Sequence, residues 1–431
     1  MPGARSNIWK AGAASVTITP EEPMWLAGWA SRCEPADGVA LDLRAKALAL
    51  QDEGGRYAVI LTADLIAIPR GLAEAVADRI HECWGLPREC LIFNASHTHN
   101  GPEVRPDKVP FFEIPPSFAA KIPSCARMME EKMAGVANAA LENLAPVGLR
   151  VSQASVGFAT NRRVPPGIAL DDIPVLEVSR PDGQPLAILF GYACHNLVLP
   201  PAFRRYHGDY AGIAQQNLEE TFPGAVALFL SGAGGDLDPA PRGSEDWALA
   251  HGHALADAVK QSMSSPRRWV SGGLRVAFED VPLDFAPPAS RQKLEADAQS
   301  RDAPVARKAR FLLDISGKLA GSYLCPVQGL FLGRELLLFA LGGEPVADYA
   351  TRLQKEFAGP VVWVAGYCND MFGYLPSRRV QEEGGYEAGR ALLWSGLPGP
   401  FAADTEARVI AATRRLAARL RGAEQNDKLA S

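Results

Sequence analysis

The chain has 431 residues, of which 47% are hydrophobic and 22% charged, an ordinary balance for a globular protein with a sizeable core. A formal net charge of -5 without a long basic run argues against nucleic acid or an anionic membrane as the main partner. No stretch approaches the roughly 18 apolar residues of a membrane helix, and the first residues lack the apolar core of a signal peptide.

The seven cysteines (Cys33, Cys83, Cys90, Cys125, Cys194, Cys325, Cys368) are scattered and form no C-x-x-C pair. Neither a thiolate zinc knuckle nor a disulfide framework is expected, and the setting expected is cytoplasmic.

In chain order, residues 8–19 read as a first strand closed by Pro20, and residues 24–31 put two tryptophans beside Gly28, as a core turn or a pocket wall. Residues 40–51 and 56–63 form a hairpin whose second arm ends in Asp64. An amphipathic helix over 71–84, stopped by Gly85 and Pro87, leads into a strand at Leu91. That strand runs into His97-Thr98-His99-Asn100-Gly101-Pro102. In extended chain, residues two apart point to the same side, so His97 and His99 can face one cavity. Imidazole is both a metal ligand and the usual proton shuttle.

Residues 106–123, rich in proline and phenylalanine, fit a loop over a cleft, and 124–144 have helical spacing. A strand over 147–156 leads to Asn161-Arg162-Arg163. A strand pair, 173–179 and 186–193, delivers Cys194-His195. A helix over 210–222 precedes a strand, 225–230, that breaks into Gly234-Gly235-Asp236. Residues 245–262 and 291–319 read as helices flanking a strand over 273–278, with His251 and His253 taken as solvent-facing. A late hairpin, 327–332 and 335–341, ends at Gly343-Glu344; a helix to Phe357 and a strand over 361–366 bring in the Tyr374 region. The tail, 405–422, is an Ala/Arg-rich helix, and the residues beyond are expected to be disordered. The fold expected is α/β: β-sheets flanked by helices in one large domain over 1–431, with a site at strand ends.

His97, His99, Arg162, His195, Glu344 and Tyr374 gather at those ends. Two histidines and a glutamate form a familiar hydrolytic zinc set, lowering the pKa of a bound water toward about 7. Arginine and spare hydroxyl or imidazole donors suit an oxyanion. Glu344 before Pro345 also suits a helix N-terminus, and Arg162 also suits a surface ion pair.

The spacing within these blocks resembles the neutral ceramidase family, the zinc-dependent N-acylsphingosine amidohydrolases. The resemblance runs in order from Ala11-Gly12 and Asp64 through the HTHNGP block, where the family has HTHSGP. It continues through Asn161-Arg162, Cys194-His195 with Asp209, and Gly235-Asp236 to Pro239. Gly343-Glu344, GYCNDMFGY from Gly366 to Tyr374, and Tyr386-Glu387 complete it. It implies one zinc per chain held by His97, His195, Glu344 and Tyr374, with His99, Arg162 and Tyr386 around the scissile amide. Asp209 and Asp236 take supporting positions.

Asn100 replaces a family serine, and Gly232 to Asp236 is not a G-x-S-x-G elbow, so no serine nucleophile is expected. The chain ends soon after Tyr386, so the immunoglobulin-like domain of the family is not expected, nor is its secretion signal. The activity implied is hydrolysis of an N-acyl amide by zinc-activated water. A substrate shorter than long-chain ceramide is expected, with Trp25, Trp29, Phe111, Phe112, Ile114 and Phe372 as channel candidates. A metal-dependent ester or phosphoester hydrolase and a non-catalytic ligand-binding relative are the alternatives.

Overall fold

The computed structural model describes residues 9–163, 167–264, 268–315 and 319–429, with side chains to residue 422. Two mixed sheets stack face to face. The first contains β1 (Trp9–Thr17), β2 (Arg44–Gln51), β3 (Tyr57–Ala63), β4 (Leu91–Ala95), β5 (Ala145–Ser155), β6 (Asp172–Ser179), β7 (Pro185–Tyr192) and β8 (Val226–Ser231), in the order β8-β7-β6-β5-β1-β2-β3-β4. The second is β9 (Leu274–Asp284), β10 (Ser322–Leu332), β11 (Leu336–Leu341) and β12 (Val361–Ala365), in that order.

Strict alternation explains the stacking, because successive side chains leave a strand on opposite faces. In β2, β3 and β4, Leu48, Leu50, Ile60 and Ile92 enter a core shared with Leu336, Leu338 and Trp363 of the second sheet. Their neighbours Val59, Leu61, Leu91 and Phe93 face the other way, against α1 (Arg70–Trp84) and α2 (Ile122–Glu142). In β7 and β8, Leu189 and Leu228 point between the sheets. Phe190 and Phe229 face α3 (Asp209–Thr221) and α4 (Glu245–Ser264). The far face of the second sheet is covered by α5 (Ala347–Glu356) and α6 (Thr405–Leu429).

Three parallel strand pairs matter most: β3 with β4, β7 with β8, and β11 with β12. All three lead at their carboxyl ends into the segments that carry Asp64, His97, His195, Asp236, Glu344 and Tyr374. Ligand sites of open α/β sheets form at such ends.

Several expectations are corrected. In place of one helix over 291–319 the described residues form two, Arg291–Asp297 and Ala303–Asp314. Pro304 lacks the N–H an interior position needs, so it starts a helix behind the Asp302 cap instead; residues 316–318 lie outside the described set. The segment 106–123 is wound into short helical turns, among them Val109–Phe112 and Pro116–Ala119. His251 is buried, stacked on Phe158 at 4.3 Å between ring centres with Nε2 2.7 Å from the Pro241 carbonyl; His253 is exposed. The last helix continues to Leu429 rather than ending at Gly422, and its extension Ala423-Glu424-Gln425 holds good helix formers. Ile8 at the start of the first expected strand, and residues 430 and 431, lie outside the described residues.

Candidate active site

His97 is the second residue after β4 and takes a left-handed backbone, φ 59°, which costs a non-glycine residue of order 1–3 kcal/mol. The turn is held by its neighbours: Ser96 N–H donates to Ala63 O (2.9 Å) and His99 N–H to Asn196 O (3.4 Å). His97 Nδ1 lies 2.7 Å from the Ile66 carbonyl, so the ring presents Nε2 to the site. His195, after β7, is oriented in the same way, with Nδ1 2.9 Å from the Gly234 carbonyl. A backbone carbonyl on one ring nitrogen fixes the tautomer and leaves the other as a ligand.

Glu344 and Tyr374 come from the second sheet. Gly343 has φ 71°, and a Cβ there would meet the Gly373 carbonyl at 2.7 Å, so only glycine lets the chain turn into the ribbon where Glu344 pairs with Tyr374. Glu344 Oε2 then lies 3.4 Å from His97 Nε2 and 3.4 Å from His195 Nε2, and Tyr374 Oη lies 3.4 Å from His195 Nε2. That spacing is the edge of a tetrahedron whose vertices stand about 2.1 Å from its centre, the bond length of zinc to nitrogen and oxygen. Glu344 Oε2 is buried without a hydrogen-bond partner. Such a donor set fits a metal ion.

The protonation states agree with that use. Burial pushes His97 down to about 4 against the pull of Glu344. Burial alone would raise Glu344, but His97, His195 and Arg162 overturn it and bring the carboxyl down to about 2. Neutral imidazole beside an ionised carboxylate is the ligand form. Burial, reinforced by Glu344, holds Tyr374 well above its ordinary value, opposed by Arg162.

His99 sits differently. Both its ring nitrogens are buried and unpartnered, and its ring lies 5.1 Å from those of Trp29 and of His97. Burial, then the neighbouring imidazoles and Arg32 and Arg162, push it far below its usual value. The nitrogens of His97, His99 and His195 fall within 4.8 Å of one another, so three imidazoles could also hold an ion. Gly28 is required beside it: φ is 94°, and a Cβ would meet His99 Nδ1 at 2.5 Å.

Arg162 is clamped from four sides, donating to Glu387 (2.8 Å), Asp238 (3.0 Å), the Gly235 carbonyl (2.9 Å) and Tyr374 Oη (3.1 Å). Its guanidinium lies 5.4 Å from the ring of Tyr386, which is partly exposed. Asp236 accepts from Ala347 N–H and Asn161 (2.8 Å each), tying the start of α5 to the strand end. Asp209 accepts from Leu199 and Tyr210 N–H (3.0 and 2.7 Å), shaping the loop after His195.

A cavity of about 960 Å³ opens above this group. Of the channel candidates, Trp29, Phe112 and Phe372 line it. Trp25, Phe111 and Ile114 are core residues instead: Trp25 packs on Phe118 and Phe111 on Phe311, at ring distances of 5.8 and 4.9 Å.

The chain is similar to the solved neutral ceramidase from Pseudomonas aeruginosa, with a TM-score of 0.75 at 18% identity over 95% of this chain and 75% of that one. It is similar to a ceramidase complexed with C2 to the same TM-score of 0.75, at 17% identity over 95% of this chain and 76% of that one. The chain has the neutral ceramidase fold. No family model and no curated protein matches it.

Sequence reasoning missed Arg32 and the acids around Arg162. Arg32 is buried and donates only to carbonyls, of Ala27, His99, Pro201 and Phe203, bracing His99 from behind. No pattern marks it, because its acceptors are backbone groups, three of the four distant in sequence. Among the described residues no helix is long and apolar enough to cross a membrane, and all seven cysteines are free thiols.

Proposed function

We propose that the chain is a zinc-dependent amidohydrolase cleaving an N-acyl amide, ceramide-like or shorter. The observation that carries this reading is the set of 3.4 Å contacts joining His97, His195, Glu344 and Tyr374 at the floor of the cavity. The fold shared with proteins named ceramidases supports the choice of an amide. Zinc, in this reading one per chain, would polarise a carbonyl and make water acidic near neutral pH.

The chain's own residues supply the remainder. Carbonyl contacts to Nδ1 hold the two ligand imidazoles in place, and Glu344 adds one negative charge. Arg162, rigid between Asp238 and Glu387, donates to Tyr374 Oη and keeps that oxygen's lone pair turned to the site. Its fixed charge favours negative charge developing on the amide oxygen. His99 is neutral, buried and free at both nitrogens, so it can take a proton from water and return it to the departing amine. Tyr386, at the cavity wall beside Arg162, is the third polar group for the amide. Trp29, Phe112 and Phe372 cover an acyl chain and keep water from it.

The reading takes the chain as one catalytic domain, working in a reducing compartment that suits its free thiols, in lipid and by extension sphingolipid metabolism. The test is product analysis of zinc-loaded protein against N-acyl amines of graded chain length. Free amine and carboxylate in equal amounts are expected. Turnover of esters or phosphoesters alone, or of nothing, would sink the amide reading.

A further inference from the structure

The protein carries a net charge of -5, yet its large cavity is walled by five basic side chains and four carboxylates, one of them Glu344 at the metal site. Most of these charges are mutually spent. Arg162 is held by Asp238 and Glu387, Arg163 by Glu387 and Glu383, and Arg242 by Asp238. Arg105 forms a two-pronged pair with Glu103 (2.7 and 2.8 Å).

Lys108 is the exception. It lines the main cavity and also the adjoining one of about 460 Å³. At 8% exposure it is largely withdrawn from bulk water, so it cannot extend its charge into solvent as surface lysines do. Among the described residues its ammonium is within reach of the Trp394 carbonyl at 3.5 Å and of Asp107 at 3.6 Å, whose side chain is 63% exposed, while the nearby Glu103 is engaged by Arg105. The other carbonyls of that strap, Ser395 and Leu397, are taken by Lys308. Burying a charge with so little compensation is costly unless a ligand completes the pair.

We infer that Lys108 recognises an anionic group on the substrate, carried on the arm that lies along the Phe112–Trp394 wall. The rings of that wall stand 5.6 Å apart, an apolar flank for the methylenes leading to the anion. The amidohydrolase reading underlies this proposal: the substrate is then an N-acyl amide ending in a carboxylate or similar anion, not a neutral lipid.

The experiment compares two probe pairs. One is octanedioic acid monoanilide and its methyl ester, with the carboxylate on the acyl arm. The other is N-octanoyl-6-aminohexanoic acid and its methyl ester, with the carboxylate on the amine arm. In at least one pair the acid is preferred over the ester by about 10- to 100-fold in kcat/KM, the range of a charged hydrogen bond. Lys108→Met brings that ratio close to one through KM, and Lys108→Arg restores most of it. Calorimetric binding of the same pairs to zinc-free protein gives the same ranking without turnover. A binding preference with no hydrolysis would sink the amide reading and leave the anion site standing. Equal binding of acid and ester by the wild type, or a Lys108→Met variant that folds and weakens both alike, overturns the proposal.

Discussion

Glu344 and Tyr374 stand opposite each other in a parallel ribbon of two residues per strand, and each places an oxygen 3.4 Å from His195 Nε2. The ribbon joins the ends of β11 and β12, so the second sheet contributes two candidate ligands as one unit. The first sheet contributes His97 and His195 from its two parallel pairs. A centre built across two sheets should be sensitive to the loss of any one ligand.

His195→Ala should therefore lower zinc from about one per chain to a small fraction, because removing one ligand of a mononuclear site cuts affinity steeply. Metal analysis after dialysis decides it. Full zinc content in this variant would place the ion elsewhere.

His99→Ala should keep its zinc yet lose roughly 10²–10⁴ in kcat, the range for a general acid or base. Zinc lost together with activity would show that the three imidazoles, not the mixed set with Glu344 and Tyr374, hold the ion.

The histidine triplet shows what could and could not be read beforehand. The expectation that His97 and His99 share a cavity holds, but not for the reason of strand alternation. The strand stops at Ala95, and His97 turns through a left-handed conformation, so the rings meet edge to face at 5.1 Å. Alternating apolar residues made most strands legible, since burial on two faces forces that pattern. The burial of His251 was not, because it depends on Phe158 from another segment; the break before Pro304 did carry a local signal, Asp302 ahead of Ala303-Pro304, which the apolar spacing outweighed. The clamp on Arg162 was equally hidden: Asp238 and Glu387 are joined to it only by the fold.

Arg162→Lys should lower kcat by about 10²–10³, since an ammonium lacks the planar fork and has three donors for the four acceptors Arg162 serves. Arg162→Met should also cost roughly 1–3 kcal/mol of stability, because Asp238 and Glu387 each lose one of two arginine partners and keep only Arg242 and Arg163. Steady-state kinetics and urea unfolding read the two effects. Wild-type kcat in the lysine variant would remove Arg162 from the chemistry.

Lys308 gives a pH signature away from the site. Burial, with Lys108 nearby, pushes its ammonium down to about 7, whereas an unfolded lysine titrates near about 10.4. Between those values the unfolded chain binds the extra proton, so stability rises with pH across that window and the penalty is complete below it. Lys308→Met should be more stable than wild type at pH 6, with the gap closing toward pH 10. A gap in unfolding midpoint that stays constant over this range contradicts the assignment.

Acyl length follows from the walls. Each buried methylene is worth about 0.8 kcal/mol, but Trp25, Phe111 and Ile114 belong to the core and Lys108 interrupts the apolar surface. For neutral N-acyl amines, kcat/KM should peak at short or medium chains. A steady climb up to palmitoyl would restore long-chain ceramide as the natural substrate.

The most direct test of the metal centre is an anomalous difference map from crystals of the zinc-loaded protein. The ion is expected at roughly 2.0–2.2 Å from His97 Nε2, His195 Nε2, Glu344 Oε2 and Tyr374 Oη, with His99 outside bonding distance. A peak bonded to His99 in place of Glu344 or Tyr374, or no peak at this position, contradicts the account.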